Sequence, residues 1–215
     1  MKKIKAVIFD LDGTIANTLP LCIAAFRQSV EPLINRAVSD EEITATFGPS
    51  EEGTIMALAP DHYETGVEEY LINYGLLHKM CPDVLDGINE LLFFLRNNAV
   101  RIAMVTGKGK HSTSISLKQF GIEDFFEIIE TGAKDGSRKA EGIQTVLNHW
   151  PTISKDEVIY VGDAPSDIEA SRKAGIPVIA ACWAETAEPQ KLLPLHPDKI
   201  FYQVQDFADW IFTRI

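Results

Sequence analysis

Two short apolar runs in this 215-residue chain each end in a pair of acidic residues, and few folds accommodate that pattern. Lys5-Ala6-Val7-Ile8-Phe9 leads into Asp10-Leu11-Asp12-Gly13-Thr14. Val158-Ile159-Tyr160-Val161 leads into Gly162-Asp163-Ala164-Pro165-Ser166-Asp167. An uninterrupted apolar run bounded by turn residues reads as a strand buried on both faces, as in a parallel sheet covered by helices. Carboxylates at the carboxyl ends of such strands meet at one rim, where open α/β sheets bind ligands. Acids gathered there repel one another unless a cation joins them. An all-oxygen donor set suits Mg²⁺, above all beside a phosphate-bearing substrate.

The rest of the chain supports a sheet of this kind. Apolar, β-branched segments at residues 4–9, 100–105, 126–130, 158–161, 178–181 and 199–202 read as strands. Helical patterns lie between them. Ile88, Leu91, Leu92 and Leu95 share one face, and Asn97-Asn98 ends that helix. Further helices are expected over 112–120, stopped by Gly121; over 140–150, stopped by Pro151; and over 166–174, stopped by Gly175. A last helix is expected around 207–211. Strands alternating with helices imply right-handed crossovers and a Rossmann-like parallel sheet flanked by helices.

One stretch breaks the alternation. Between Asp12 and Asp83 the pattern is helical throughout, at 19–32, 40–47, 51–58 and 62–80. About seventy residues is far more than a crossover needs. We therefore expect an α/β core built from residues 1–14 and 83–215, with an all-helical cap domain, residues 15–82, inserted after the first strand. Cys81-Pro82-Asp83 would be the return hinge.

Composition excludes some functions. The chain is 46% hydrophobic and 24% charged, as a globular protein is, but its formal net charge is −11. That is a poor basis for general nucleic-acid binding, which wants a basic face. It also lacks the Lys/Arg cluster of an anionic-membrane binder. Met1-Lys2-Lys3 followed by apolar residues superficially resembles a signal-peptide start, but the run stops at Asp10, too soon for an h-region. No stretch approaches the ~20 apolar residues of a membrane span. Cys22, Cys81 and Cys182 are scattered and show neither metal-ligand spacing nor a disulfide framework. Reduced thiols in a cytoplasmic protein are the simplest expectation. The oligomeric state is left open.

The chemistry should lie at the strand ends. Asp10 closes the first strand, and Gly13 permits the tight turn that brings Asp12 back to the same rim. One carboxylate can attack an electrophile while the other handles protons. Asp163 closes a second strand. Asp167, four residues on, either stabilises the start of the next helix or serves the same site. Thr106-Gly107 ends the strand at 100–105, and its hydroxyl and backbone N–H can hold phosphate oxygens. A phosphate site also needs protein cations. Lys139, at a helix start, is the first candidate, with Arg138 and Lys134 behind it.

In this order, these residues resemble the haloacid dehalogenase superfamily, in its phosphatase branch with a helical cap after the first motif. Phe9-Asp10-Leu11-Asp12-Gly13-Thr14 matches the first motif, Val105-Thr106-Gly107 the second, Lys139 the third, and Gly162-Asp163-Ala164-Pro165-Ser166-Asp167 the fourth. Two positions depart from the common pattern: Gly107 stands where Asn is frequent, and Ala140 where Pro often follows the lysine. The resemblance implies that Asp10 is a nucleophile forming an aspartyl-phosphate and Asp12 the general acid and base. It implies that Asp10, the backbone carbonyl of Asp12, and Asp163 bind Mg²⁺, with Asp167 supporting the metal shell or orienting Lys139. Thr106, Gly107 and Lys139 would hold the phosphoryl oxygens. The acid at Asp12 points to phosphate rather than carbon–halogen cleavage, because a leaving alkoxide benefits from a proton.

The expected substrate is a small phosphorylated metabolite, a phosphoglycolate-like or sugar phosphate monoester. A phosphosugar mutase of the same fold, or a non-catalytic sensor of phosphorylated ligands, are the alternatives. The cap would close over the site and select the substrate, and Phe47-Gly48-Pro49-Ser50-Glu51-Glu52 could be the loop that faces it.

Overall fold

The computed structural model describes residues 3–215; Met1 and Lys2, with which the signal-peptide likeness begins and which open the expected core, lie outside the described residues. Six strands form one sheet: β1 (Ala6–Phe9), β2 (Arg101–Val105), β3 (Ile128–Glu130), β4 (Val158–Gly162), β5 (Val178–Ala181) and β6 (Lys199–Phe201). Their order is β3-β2-β1-β4-β5-β6, and every pairing is parallel.

The continuous apolar runs follow from burial on both faces. Val7 and Phe9 of β1 join Ile102, Met104, Ile159, Val161 and Ile179 in one apolar cluster, closed by α5 (Ile88–Asn97) and α10 (Val204–Phe212). Ala6 and Ile8 join Ala103, Val105, Val158, Tyr160 and Val178 in the other, closed by α7 (Lys139–His149) and α8 (Pro165–Ala174). Successive side chains point to opposite faces, so β1, β4 and β5, buried at every position, carry no charged residue, whereas β2, β3 and β6 admit Arg101, Glu130 and Lys199 at their ends.

The topology locates the site. From β1 the sheet is extended to β2 on one side and to β4 on the other. Such a reversal leaves a crevice at the carboxyl ends of the two neighbouring strands. Phe9 is in register with Met104 and with Val161. Asp10, Thr106 and Asp163 therefore emerge at the same rim from three adjacent strands.

Between β1 and α5 the chain forms α1 (Leu19–Ile34), α2 (Asp40–Thr44), α3 (Glu51–Leu58) and α4 (Tyr63–Leu77). No described residue in this stretch lies in a strand. These helices carry an apolar cluster of their own, including Leu21, Phe26, Val30, Ile55, Tyr70 and Tyr74. The outgoing and returning chains run side by side, since Leu85 N–H donates to the Ile15 carbonyl at 2.9 Å. α6 (Lys110–Phe120) presents Ile115 and Phe120 to this cluster from the sheet side.

Most differences from the expected elements fall at their ends. The segment at 62–80 becomes α4 followed by a separate 3-10 turn, His78–Met80. The strand at 4–9 loses its first two residues. Their backbone N–H groups pair with Arg214 and Glu157 carbonyls instead of the neighbouring strand ladder. The short α9 (Pro189–Leu192) was not expected.

The core's dependence on close packing gives a direct expectation. Leu92 is fully buried between α5 and the sheet. Leu92→Ala should cost about 2–5 kcal/mol, read from urea unfolding followed by tryptophan fluorescence. A loss below about 1 kcal/mol would contradict this packing.

Candidate active site

Asp10 is the first residue beyond β1, and its side chain is almost fully buried. Its Oδ1 accepts the Leu11 N–H at 2.7 Å, and its Oδ2 accepts Lys139 Nζ at 2.6 Å. Lys139 is the first residue of α7, so Ala140 has not displaced it. The same Nζ donates to Asp167 Oδ1, also at 2.6 Å. Of the two other candidate cations, Arg138 is exposed, and Lys134 lies against the Tyr63 ring at 5.7 Å.

Asp167 is completely buried and heavily bonded. Tyr160 Oη donates to its Oδ1 at 2.9 Å, and the Ala164 N–H to its Oδ2 at 2.9 Å. Asp167 thus bonds both the first turn of α8 and Lys139. Asp163 is bonded more sparsely, accepting Thr14 Oγ1 at 3.3 Å. Gly13 turns at φ +73°, and a Cβ there would collide with the Asp163 carboxylate. The turn after β1 thus packs directly against the end of β4.

One carboxylate oxygen from each of Asp10, Asp163 and Asp167 lies within 4.8 Å of the other two. Asp12 stands outside this trio. Its carboxylate accepts from Thr18 Oγ1 and pairs with Lys108 Nζ at 3.3 Å. Thr106 is buried at the end of β2, where its Oγ1 accepts the Lys108 N–H at 3.3 Å. It does not line the cavity above Asp10, whereas Gly107, Lys108 and Lys139 do.

That cavity has a volume of about 640 Å³. Its floor includes Asp10, Asp12, Gly13, Asp163 and Lys139. Phe47, Gly48, Pro49 and Glu51 line it from the helical stretch, so the loop singled out in the sequence does face the site. Glu51 opens α3 and is buried. Its oxygens accept the Gly109 N–H and Ser112 Oγ, each at 2.7 Å, so it ties α3 to the start of α6.

Sequence reasoning gave no role to Lys108 or to the Glu51 contact. A lysine between two glycines at a strand end was a usable signal for the first. The second depends on a contact between residues far apart in the chain and had none.

The electrostatics favour a cation. Burial pushes the Asp10 carboxyl up to about 6, against the pull of Lys139 and with help from Asp167 and Asp12. Burial, then Asp10 and Asp167, raise Asp163 well above the usual carboxylate range. Burial alone would lower Lys139, but Asp10 and Asp167 outweigh it and raise its pKa. One ammonium faces three carboxylates, two buried and Asp163 partly exposed, so when all three are ionised the negative charge is in excess. The donors are all oxygens, and Asp163 has spare lone pairs. These residues fit a hard divalent cation such as Mg²⁺.

The haloacid dehalogenase-like hydrolase family model matches residues 7–181, and the chain belongs to that family. It is 28% identical over 205 residues to pyrophosphatase PpaX of Bacillus pumilus, covering 94% of each chain. It is 29% identical over 210 residues to pyrophosphatase PpaX of Listeria innocua, covering 95% of this chain and 94% of that one. Among solved structures, a haloacid dehalogenase-like family hydrolase from Streptococcus pneumoniae superimposes with a TM-score of 0.78 at 24% identity, over 96% of this chain and 98% of that one. The protein is a hydrolase of the phosphatase class.

The raised carboxyls set a pH dependence. Folded without a cation, the site keeps protons on Asp10 up to about pH 6, whereas an unfolded Asp releases them near 3.8. The stability these protons support is complete below the unfolded value and is lost as pH rises through the folded one. A divalent cation competes with those protons. Saturating Mg²⁺ should therefore raise Tm by several degrees more at about pH 7.5 than at about pH 5. Scanning calorimetry with and without Mg²⁺ reads this; an equal gain at both pH values would contradict it.

Proposed function

We propose that this protein is a Mg²⁺-dependent phosphatase that hydrolyses a small phosphorylated substrate, a phosphomonoester or pyrophosphate, through a phosphoryl group carried on Asp10. The observation that carries this reading is the position of Asp10 on the cavity floor. One of its oxygens is fixed by Lys139, and the carboxylates of Asp163 and Asp167 stand within 4.8 Å.

In the first step an Asp10 oxygen attacks phosphorus in line with the leaving oxygen. The bond to the leaving group breaks, and Asp12 supplies the proton that the departing oxygen needs. In the second, the Asp12 carboxylate takes a proton from water, and that water attacks the phosphorus of the Asp10 acyl phosphate. Inorganic phosphate leaves, and the Asp10 carboxylate is restored. Lys139, the Gly107 backbone N–H and the Thr106 hydroxyl would hold the non-bridging oxygens. Asp10, Asp163 and the Asp12 backbone carbonyl would hold Mg²⁺, with Asp167 as a supporting group. The bound ion would neutralise the phosphoryl oxygens and let the Asp10 anion approach them.

We assign residues 15–82 the role of a cap. Its separate apolar cluster, and the closeness of the outgoing and returning chains at Ile15 and Leu85, support a unit that moves as one body. Closure would exclude water from the acyl phosphate until Asp12 activates one. The acids and Lys139 gathered on one floor favour catalysis over passive sensing of a ligand.

Phosphate release from p-nitrophenyl phosphate with Mg²⁺ tests this. Asp10→Asn should reduce kcat by roughly a thousandfold or more, and EDTA should abolish turnover in the unaltered protein. An Asp10→Asn variant within tenfold of the parent would rule out the nucleophile assignment.

A further inference from the structure

A buried carboxylate joins the helical stretch to the core beside the cavity. Glu51 opens α3 and is 4% exposed. Its oxygens accept Gly109 N–H and Ser112 Oγ, each at 2.7 Å. Both donors stand at the start of α6, whose first N–H groups have no partner inside the helix and favour an anion. Room for the carboxylate exists because residue 109 is glycine. A Cβ there would stand 2.6 Å from both Glu51 oxygens. The backbone at Gly109 is extended, with φ −71° and ψ 166°, a conformation open to any residue.

Two further contacts close the same seam. Ser50 N–H donates to the Ala133 carbonyl at 3.0 Å. Gly53 lies so close to Lys134 that a Cβ would collide with its carbonyl oxygen. The seam therefore grips two core loops at once, the one after β2 and the one that leads to Lys139. Those loops are also joined to each other, since Gly132 N–H donates to the Lys108 carbonyl at 2.8 Å. They carry Gly107 and Lys139, groups that would hold the phosphoryl oxygens.

We propose that Glu51 is a positioning residue: as the cap closes, its carboxylate seats on the start of α6 and fixes the loop that carries the Gly107 N–H. Both its oxygens are spent on the core, so it acts through that loop and not on the substrate. With the cap open, the start of α6 loses its anion and the loop its anchor. With the cap shut, the groups that hold the phosphoryl oxygens are in place, so closure and readiness for reaction become one event. This role of Glu51 rests on the phosphatase and cap readings of the same site and deepens them.

Two variants break the seam from opposite sides. Glu51→Ala removes the carboxylate. Gly109→Ala leaves Glu51 in place and drives its carboxylate off with a methyl group, at a backbone conformation that alanine adopts. In each, amide hydrogen exchange over residues 107–112 should quicken roughly tenfold or more, while β1, β4, α1 and α4 exchange as in the parent. With Mg²⁺ and p-nitrophenyl phosphate, kcat/KM should fall by roughly tenfold to a hundredfold, the effect of a lost charged hydrogen bond. Glu51→Gln, which keeps one acceptor oxygen, should recover part of that loss. Because both variants break the same contact, their combination should be no slower than the slower of the two. Unchanged exchange over residues 107–112 in both variants would overturn the proposal. So would faster exchange throughout the chain, the mark of a merely structural role, and so would an unchanged kcat/KM with the seam opened. Asp10→Asn reports separately on the phosphatase reading. If the unaltered protein turns over nothing, calorimetry of inorganic phosphate binding with Mg²⁺ takes the place of kcat/KM. Affinity roughly tenfold weaker or more in both variants sustains the role of Glu51, and equal affinity overturns it.

Discussion

Repulsion among buried carboxylates is the constraint on which the rest of this structure depends. Asp10, Asp163 and Asp167 bring oxygens within 4.8 Å of one another where burial raises the cost of every charge. Such an arrangement survives only if the scaffold is rigid and a cation is at hand. The sheet supplies the rigidity. Asp10 follows the central strand, flanked by β2 and β4, and Tyr160 reaches across from β4 to bond both the Val105 carbonyl and Asp167. Lys139 supplies part of the charge, and a divalent ion would complete it.

The walls extend this economy of charge. Trp183 Nε1 donates to the Thr14 carbonyl, and Thr186 Oγ1 to Asn17, so the loop after β5 clasps the turn that carries Asp12. Glu51 caps the start of α6 from the helical stretch, and an anion there is favoured by the helix N-terminus. A buried acid is thus satisfied without drawing on either lysine. Lys139 bonds Asp10 and Asp167 on the floor, and Lys108 lines the cavity beside Asp12.

The fold was legible because burial on both faces keeps the inner strands β1, β4 and β5 free of charged residues. The runs at β1 and β4 show no alternation, as expected of strands covered on both faces. Asp10, Asp163 and Lys139 were legible for a related reason, since the first two stand where strands stop and the third where a helix starts. Thr106 was read as a direct phosphate contact; it is buried at the end of β2 with its Oγ1 accepting the Lys108 N–H, and Gly107 and Lys108 beside it line the cavity. Lys108 and Glu51 acquire meaning only through partners remote in the chain, Asp12, Cys22 and Ser112. No periodicity or spacing carries that information. The helical stretch was legible as helix from its patterning, but the contact of α3 with α6 is a tertiary fact.

A diffraction measurement at the manganese absorption edge, on crystals grown with Mn²⁺ in place of Mg²⁺, tests the central claim most directly. The account predicts one strong anomalous peak touching the Asp10 and Asp163 carboxylates at the ends of β1 and β4. A well-ordered protein with no peak between those two side chains, or with its only peak elsewhere, would contradict it.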